Sequence, residues 1–289
     1  MTAGGTSLRV GMHHSSALTT GIILAHPDLP AARRAHIEAY LDLCDGNPFH
    51  NRLMMETSRT LVLAVIMTMH ATARRDDRDS WPTPGRLKEN MARFGLSSSR
   101  RIDGLLARFR QTGFLDVVAA PDDGRSRLLV PTEAMLSYDR SHTRVLYMPL
   151  ARMFPGPLYQ PFIDRDPDRH LASRRAGLAH LASSARIVAA NPDAMLFCSR
   201  DGGYPVMMVL ALDAGRGATH SYSAIGDRFG ISRTHVRNII RAAADRGLVR
   251  LEGRGGGDVV VLPALVDAFD RFMADIMVEH DSIARQALA

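Results

Sequence analysis

The chain carries nearly the same pattern twice. Arg93-Phe94-Gly95-Leu96-Ser97 returns as Arg228-Phe229-Gly230-Ile231-Ser232. Behind the first copy, Ile102, Leu105, Leu106 and Phe109 recur at helical spacing, and Gly113 and Phe114-Leu115 follow. Behind the second, Val236, Ile239, Ile240 and Ala243 hold the same spacing, and Gly247 and Leu248-Val249 follow. From Ile102 and Val236 onward the two copies stay in register, so the first carries one extra residue in its Ser97-Ser98-Ser99 turn. A short helix, a turn, an amphipathic helix, a glycine cap and a strand together describe a helix-turn-helix with a wing behind it. The expected class is therefore mainly α with small β wings, in two tandem winged helix-turn-helix repeats.

The likeness reaches beyond these motifs. Ala32-Arg33-Arg34-Ala35, after Pro27-Asp28, is matched by Ser173-Arg174-Arg175-Ala176 after Pro167-Asp168. Asn47-Pro48 and Asn191-Pro192 each stop a helix, because the residue before proline is pushed out of the helical region. Apolar helices follow, over Leu53 to Ala73 and Tyr204 to Leu212. Leu128-Leu129-Val130-Pro131 and Val260-Val261-Leu262-Pro263 read as the return strands of the wings. Tyr138-Asp139-Arg140 and Phe269-Asp270-Arg271 then fall inside the next helices. Matches in one order over most of the chain point to tandem duplication. The predicted division is a loose tail over 1–18, a first repeat with flanking helices over 19–153, a Pro-rich junction over 154–168 and a second repeat over 169–289. At 289 residues, each half is long enough for its own core.

Charge follows the repeat. The net charge is +6, and residues 84–130 carry +4 of it and 221–258 carry +3, so the rest of the chain is close to neutral. All but one of the basic residues are Arg, which suits bidentate contacts to phosphate and guanine; a GC-rich genome gives the same bias without explaining the clustering. Aromatic content of 6% is poor for stacking single-stranded bases. Two cysteines, Cys44 and Cys198, exclude a disulfide framework or Cys-rich zinc site and fit a reducing cytoplasm. The longest apolar run, Leu61 to Met69, is too short to span a membrane.

In a winged helix the second helix of the turn motif enters the major groove by its N-terminal residues. These are Ser98, Ser99, Arg100, Arg101 and Asp103 in the first copy and Arg233, Thr234, His235, Arg237 and Asn238 in the second. The apolar positions between them face the core, which leaves these side chains outward. Arg reads guanine and Asn reads adenine, while Ser and Thr at a helix N-terminus donate to phosphate. Any one of these residues also reads as part of a solvated helix face; the doubled pattern favours a DNA surface. In the first wing, Asp122-Asp123-Gly124-Arg125-Ser126-Arg127 gives an Asp-Gly turn with two exposed Arg, and the second wing keeps Arg254 within a run of glycines.

The first wing resembles that of the multiple-antibiotic-resistance regulator (MarR) family, in which Asp-x-Arg, a short apolar strand and Leu-Thr-x-x-Gly follow one another. Asp123, Arg125 and Thr132 match, Pro131 replaces the Leu, and Met135 stands where Gly is usual. By resemblance, Arg125 reaches a minor groove or phosphate with Asp123 orienting it, Arg127 and Arg254 lie on the wings, and the partner is double-stranded DNA. The family forms dimers through its terminal helices. The resemblance thus implies a pseudo-two-fold built from one chain, or a homodimer of chains, and a regulator that answers to a small aromatic effector. Met54, Met55, Met67, Met69, Met207 and Met208 lie on helices that would border such a pocket, although Met at this spacing also fills cores. A transcriptional regulator is the leading reading; a plasmid-type replication initiator and a winged-helix protein scaffold stay open. No motif calls for a cofactor or metal, and no phosphate loop or nucleophile elbow marks an enzyme.

Overall fold

The computed structural model describes residues 17–45, 53–120, 123–214, 221–253 and 258–288. Over these the protein is mainly helical with two small antiparallel sheets of two strands each, the class expected. Asn47-Pro48, Arg254 with its glycines and most of the 1–18 segment lie outside the described residues. The first half runs α1 (Thr20–Leu24), α2 (Leu29–Asp45), α3 (Thr57–Thr72), α4 (Pro84–Ala92), α5 (Ser99–Gln111), β1 (Leu115–Ala120), β2 (Asp123–Pro131) and α6 (Glu133–Met153). Then come α7 (Gln160–Ile163), α8 (Pro167–Ala190), α9 (Pro192–Cys198), α10 (Gly203–Leu212), α11 (Tyr222–Phe229), α12 (Arg233–Asp245), β3 (Val249–Glu252), β4 (Asp258–Val261) and α13 (Pro263–Leu288).

Local chemistry sets most of these bounds. Thr83 caps α4 by accepting from the Arg86 amide, with Pro84 at the first helical position. Asp166 caps α8 through the Asp168 and Arg169 amides, and Asn191 ends it ahead of Pro192. One bound differs from the expected Leu53 start: α3 begins at Thr57. Glu56 is held in extended backbone (φ −108°, ψ 130°), and its buried carboxylate accepts from Ser58 Oγ at 2.6 Å. The 154–168 stretch is packed rather than an open junction. Tyr159 and Phe162 are each 2% exposed, the Phe162 ring stacks on Tyr147 at 4.1 Å, and the Tyr159 hydroxyl donates to Asp281 Oδ1 at 2.5 Å.

The boundary at 154–168 divides the sequence but not the cores. Helix α2 packs on α6 of its own half and on α10 and α11 of the other; α8 packs on α13 of its own half and on α3 of the other. One apolar cluster gathers Phe109, Leu129 and Ile66 of the first half with Leu181 of α8. The other gathers Phe229, Ile239 and Phe269 of the second half with Ile37 and Leu41 of α2. Each buried side chain of this kind contributes about 1.5–3 kcal/mol by leaving water. Met54, Met67, Met69, Met207 and Met208 are all buried in these clusters as core filling. Cys44 and Cys198 are buried as free thiols, and burial pushes both up to about 12, which leaves them as unreactive thiols.

Two ion pairs cross between the halves in matching places. Arg174 on α8 grips Asp139 on α6 through Nε–Oδ2 at 2.8 Å and Nη2–Oδ1 at 2.5 Å. Arg33 on α2 reaches Asp270 on α13 at 2.5 Å. These are the corresponding residues of the repeated Arg-Arg and aromatic-Asp-Arg patterns, paired crosswise. Their surroundings differ. Thr143 Oγ1 accepts a further bond from Arg174 at 3.1 Å, and His170 Nε2 lies 2.8 Å from Asp139. The matching positions beside the other pair are Ala274 and Leu29, which offer neither, and Asp270 Oδ1 has no hydrogen-bond partner. Burial pushes the Asp139 carboxyl up, but Arg174 and His170 outweigh it and hold it at about 2. At Asp270 burial wins over Arg33 and raises the carboxyl to about 6.

The two pairs therefore act on stability with opposite signs. Asp139 contributes above its unfolded pKa, and the contribution is lost as pH falls toward 2. Asp270 contributes below its unfolded pKa, and the contribution is lost as pH rises through about 6. In urea unfolding at neutral pH, Asp139→Asn is expected to cost about 3–5 kcal/mol by leaving Arg174 buried and uncompensated. Asp270→Asn costs less, and it reduces the fall in stability between mildly acidic and neutral pH.

Candidate nucleic-acid interface

Two short segments of the chain present the same geometry. In the first, α4 is followed by Gly95 at φ 64°, and Ser98 caps α5 by accepting from the Arg101 amide. In the second, α11 is followed by Gly230 at φ 67°, and Ser232 caps α12 by accepting from the His235 amide. Both turns need the left-handed backbone that glycine adopts without a steric penalty. The apolar stripe then turns inward: Ile102, Leu105, Leu106 and Phe109 are buried on α5, and Val236, Ile239, Ile240 and Ala243 on α12. Each helix exits alike. The Phe114 amide donates to Phe109 O at 2.8 Å, and the Leu248 amide donates to Ala243 O at 2.9 Å.

The opposite faces are polar and exposed. Ser98, Ser99, Arg100 and Arg101 are exposed on the first, and Arg233, Thr234, Arg237 and Asn238 on the second, with His235 half-buried. The Ser98 hydroxyl accepts its own helix's amide, which still leaves its proton to donate outward. Arg100, Arg233 and Arg237 make no hydrogen bond or ion pair with the described residues. Lys88 is held by Asp103 at 2.7 Å, so that pair adds no net charge to the first face.

Arg101 and His235 occupy corresponding positions, and both turn back toward the centre. Arg101 Nη2 donates to both oxygens of the buried Glu56 carboxylate, at 3.1 and 3.2 Å. His235 Nε2 lies 2.9 Å from the Asp201 carbonyl oxygen. These two anchors meet at one junction: Arg59 spans Glu56 at 3.3 Å and Asp201 at 2.7 Å, and the Gly202 amide donates to Met55 O at 3.2 Å. The third residue of the exposed helix in each segment is thus tied to the place where the halves touch. Glu56 and Asp201 escape a reading of the sequence because they lie just outside regular elements, and Arg59, in the first turn of α3, carries no periodic signal that names its partners.

The hairpins behind the helices differ. In the first, β1 and β2 pair Leu115 with Pro131 through Ala119 with Arg127, and a register shift then sets Ala120 opposite Asp123. Asp123-Gly124 therefore opens the return strand and is not itself the turn, a correction to the expected Asp-Gly turn. Asp123 holds backbone and hydroxyl rather than a guanidinium: it accepts from the Arg125 amide at 3.0 Å and from Ser126 Oγ at 2.8 Å. The Ser126 hydrogen bond, followed by that of the Arg125 amide, lowers its carboxyl below the ordinary range. Arg125 and Arg127 are exposed on this strand, with Arg127 Nη1 donating to Gly124 O at 3.0 Å. The hairpin is fixed to the body where the Leu129 amide donates to Pro82 O at 2.8 Å. Thr132 donates to Gly113 O at 2.7 Å and caps α6. The second hairpin is shorter, pairing Val249–Glu252 with Asp258–Val261, and Arg250 on it pairs with Glu252 at 2.8 Å.

Among the described residues, no group of three or more His, Cys, Asp or Glu is placed to hold a metal ion. No helix among these residues is long and apolar enough to cross a membrane. No protein-family model, no curated protein and no solved structure matches the chain.

The junction is expected to behave as one unit. In urea unfolding, Arg101→Gln and Glu56→Gln each destabilise, and the four-variant cycle shows a coupling of about 0.5–3 kcal/mol. Arg100→Gln, on the same face but without a partner, stays within about 0.5 kcal/mol of the parent.

Proposed function

We propose that the protein is a sequence-specific double-stranded DNA-binding transcriptional regulator in which two winged helix-turn-helix units are carried by one chain as a pseudo-two-fold pair. The observation that carries this reading is the doubled, identically capped helix pair. In each, the second helix buries an apolar stripe and turns Arg, Ser, Thr or Asn outward from its N-terminal turn. Those side chains and free helix amides suit a major groove, and Arg125 and Arg127 on the first hairpin suit a phosphate or a narrow minor groove. The crosswise pairing of α2 and α8 supports the pseudo-two-fold, because an isologous interface brings residue i of one copy to residue j of the other and the reverse. The outward faces are unlike, with Ser99 and Arg100 on one and Arg233, Thr234, Arg237 and Asn238 on the other, and the preferred site is therefore two unlike half-sites.

Selection of bound duplexes from a random pool tests this directly. The expected winner is a two-part, non-palindromic site with half-sites about one helical turn apart. Its affinity falls by about 10³–10⁵ between 50 and 200 mM salt if about 6–10 phosphates are contacted. Arg237→Ala relaxes specificity at one position at a cost of about 1–3 kcal/mol, whereas Arg125→Ala weakens all sequences alike. A pool that yields no enriched sequence, or a strict palindrome, contradicts the proposal.

A further inference from the structure

Beneath the junction lies a cavity of about 200 Å³ between α3, α8 and α13, reached also by α2, α6 and α10. It is larger than the roughly 150 Å³ apolar cavity that holds a benzene ring. One side is aromatic: Tyr40 and Tyr204 meet edge-to-face at 5.2 Å, and Tyr204 meets Phe272 at 6.1 Å. Val65 and Leu181 supply aliphatic wall. Its wall also carries polar groups, among them the hydroxyls of Thr57, Thr60 and Thr68 and the Asp139 carboxylate, and the charged and titratable ones differ in how far they are committed. Arg174 is used by Asp139 and Thr143. Burial lowers His142 and His280 to about 4, so both rings are neutral at pH 7.

Glu279 is the exception. It is 9% exposed and its Oε1 has no hydrogen-bond partner. Its other oxygen lies 2.9 Å from Ser184 Oγ, a hydroxyl whose single proton also has His180 O at 3.1 Å. Burial raises this carboxyl to about 7, against the pull of Ser184, Ser183 and Arg186. The aromatic-sided wall thus holds an acceptor short of donors, and its cation among the described lining residues, Arg174, is already engaged by Asp139 and Thr143.

We propose that this cavity is a binding site for a small lipophilic amine, its ring against Tyr40, Tyr204 and Phe272 and its ammonium donating to Glu279. A cation over aromatic faces is attracted by their quadrupoles, and an ammonium–carboxylate hydrogen bond is charge-assisted. An aromatic carboxylate would bring a second negative charge to Glu279 and find Arg174 already engaged. Met55 and Thr57, which flank Glu56, also line the cavity, so an occupant touches the segment that holds Arg101.

Three probes of one shape decide the matter by calorimetric titration of the full chain without DNA: 2-naphthylmethylamine, 2-naphthylmethanol and 2-naphthoate. The amine is expected to bind one per chain, the alcohol more weakly and the carboxylate weakest, a ranking that needs no variant. Glu279→Gln should weaken the amine by about tenfold or more while leaving the alcohol unchanged. Equal or tighter binding of the carboxylate, no binding of any probe, or an amine affinity untouched by Glu279→Gln in the folded variant overturns the proposal. Because no DNA is present, that failure would leave the DNA-binding reading standing.

Discussion

Each half of this chain lends its first long helix to the other, and two buried Arg–Asp contacts mark where the loans are made. Helix α8 completes the apolar cluster around Phe109, and α2 completes the one around Phe229. Neither cluster closes from its own half alone, so the two halves cannot come apart without exposing Leu181 on one side and Ile37 and Leu41 on the other. A buried ion pair adds little net stability, because the cost of desolvation offsets much of the attraction. Here the pairs specify which helix faces which. The same Arg and Asp occur in both sequence patterns, and each Arg pairs with the Asp of the other half.

The two matched segments differ most in what surrounds the ion pairs and in their outward faces. Thr143 and His170 complete the surroundings of Asp139, whereas Ala274 and Leu29 leave Asp270 with one partner, and the two carboxyls titrate on opposite sides of the ordinary range. The outward helix faces have changed as well, with Ser-Arg-Arg in one and Arg-Thr-His in the other. Yet Arg101 and His235 keep one role by different chemistry, each reaching back to the junction formed by Glu56, Arg59 and Asp201. A link of this kind gives the two proposed DNA-reading helices a common reference point, and Met55 and Thr57 beside it line the cavity.

Much of the architecture was legible in the sequence because it rests on local rules. The stripe Ile102, Leu105, Leu106, Phe109 and its twin could bury only one face, Gly95 and Gly230 could serve only as turns, and Thr83-Pro84 could only begin a helix. The matched Arg33 and Arg174, and Asp139 and Asp270, were visible as repeats. That they pair crosswise was not, since periodicity says which face is buried but not against which partner. The turn of the first hairpin was misplaced because Asp-Gly is a strong turn signal, and only the pairing of Ala120 with Asp123 shows that the reversal comes earlier. The Glu56 junction and the Glu279 carboxyl were hidden for a similar reason: their meaning comes from neighbours distant in sequence. Asp123, expected to orient the Arg125 side chain, instead accepts from the Arg125 backbone amide.

In the proposed arrangement one chain presents two different DNA-reading faces at fixed spacing. Native mass spectrometry of the chain on its selected duplex, joined to hydroxyl-radical footprinting of the same complex, tests it most directly. One chain per duplex is expected, with two protected patches about one helical turn apart on one side of the DNA, Arg100→Ala weakening one patch and Arg237→Ala the other. Two chains per duplex, each protecting a like half-site through the same helix, would contradict it.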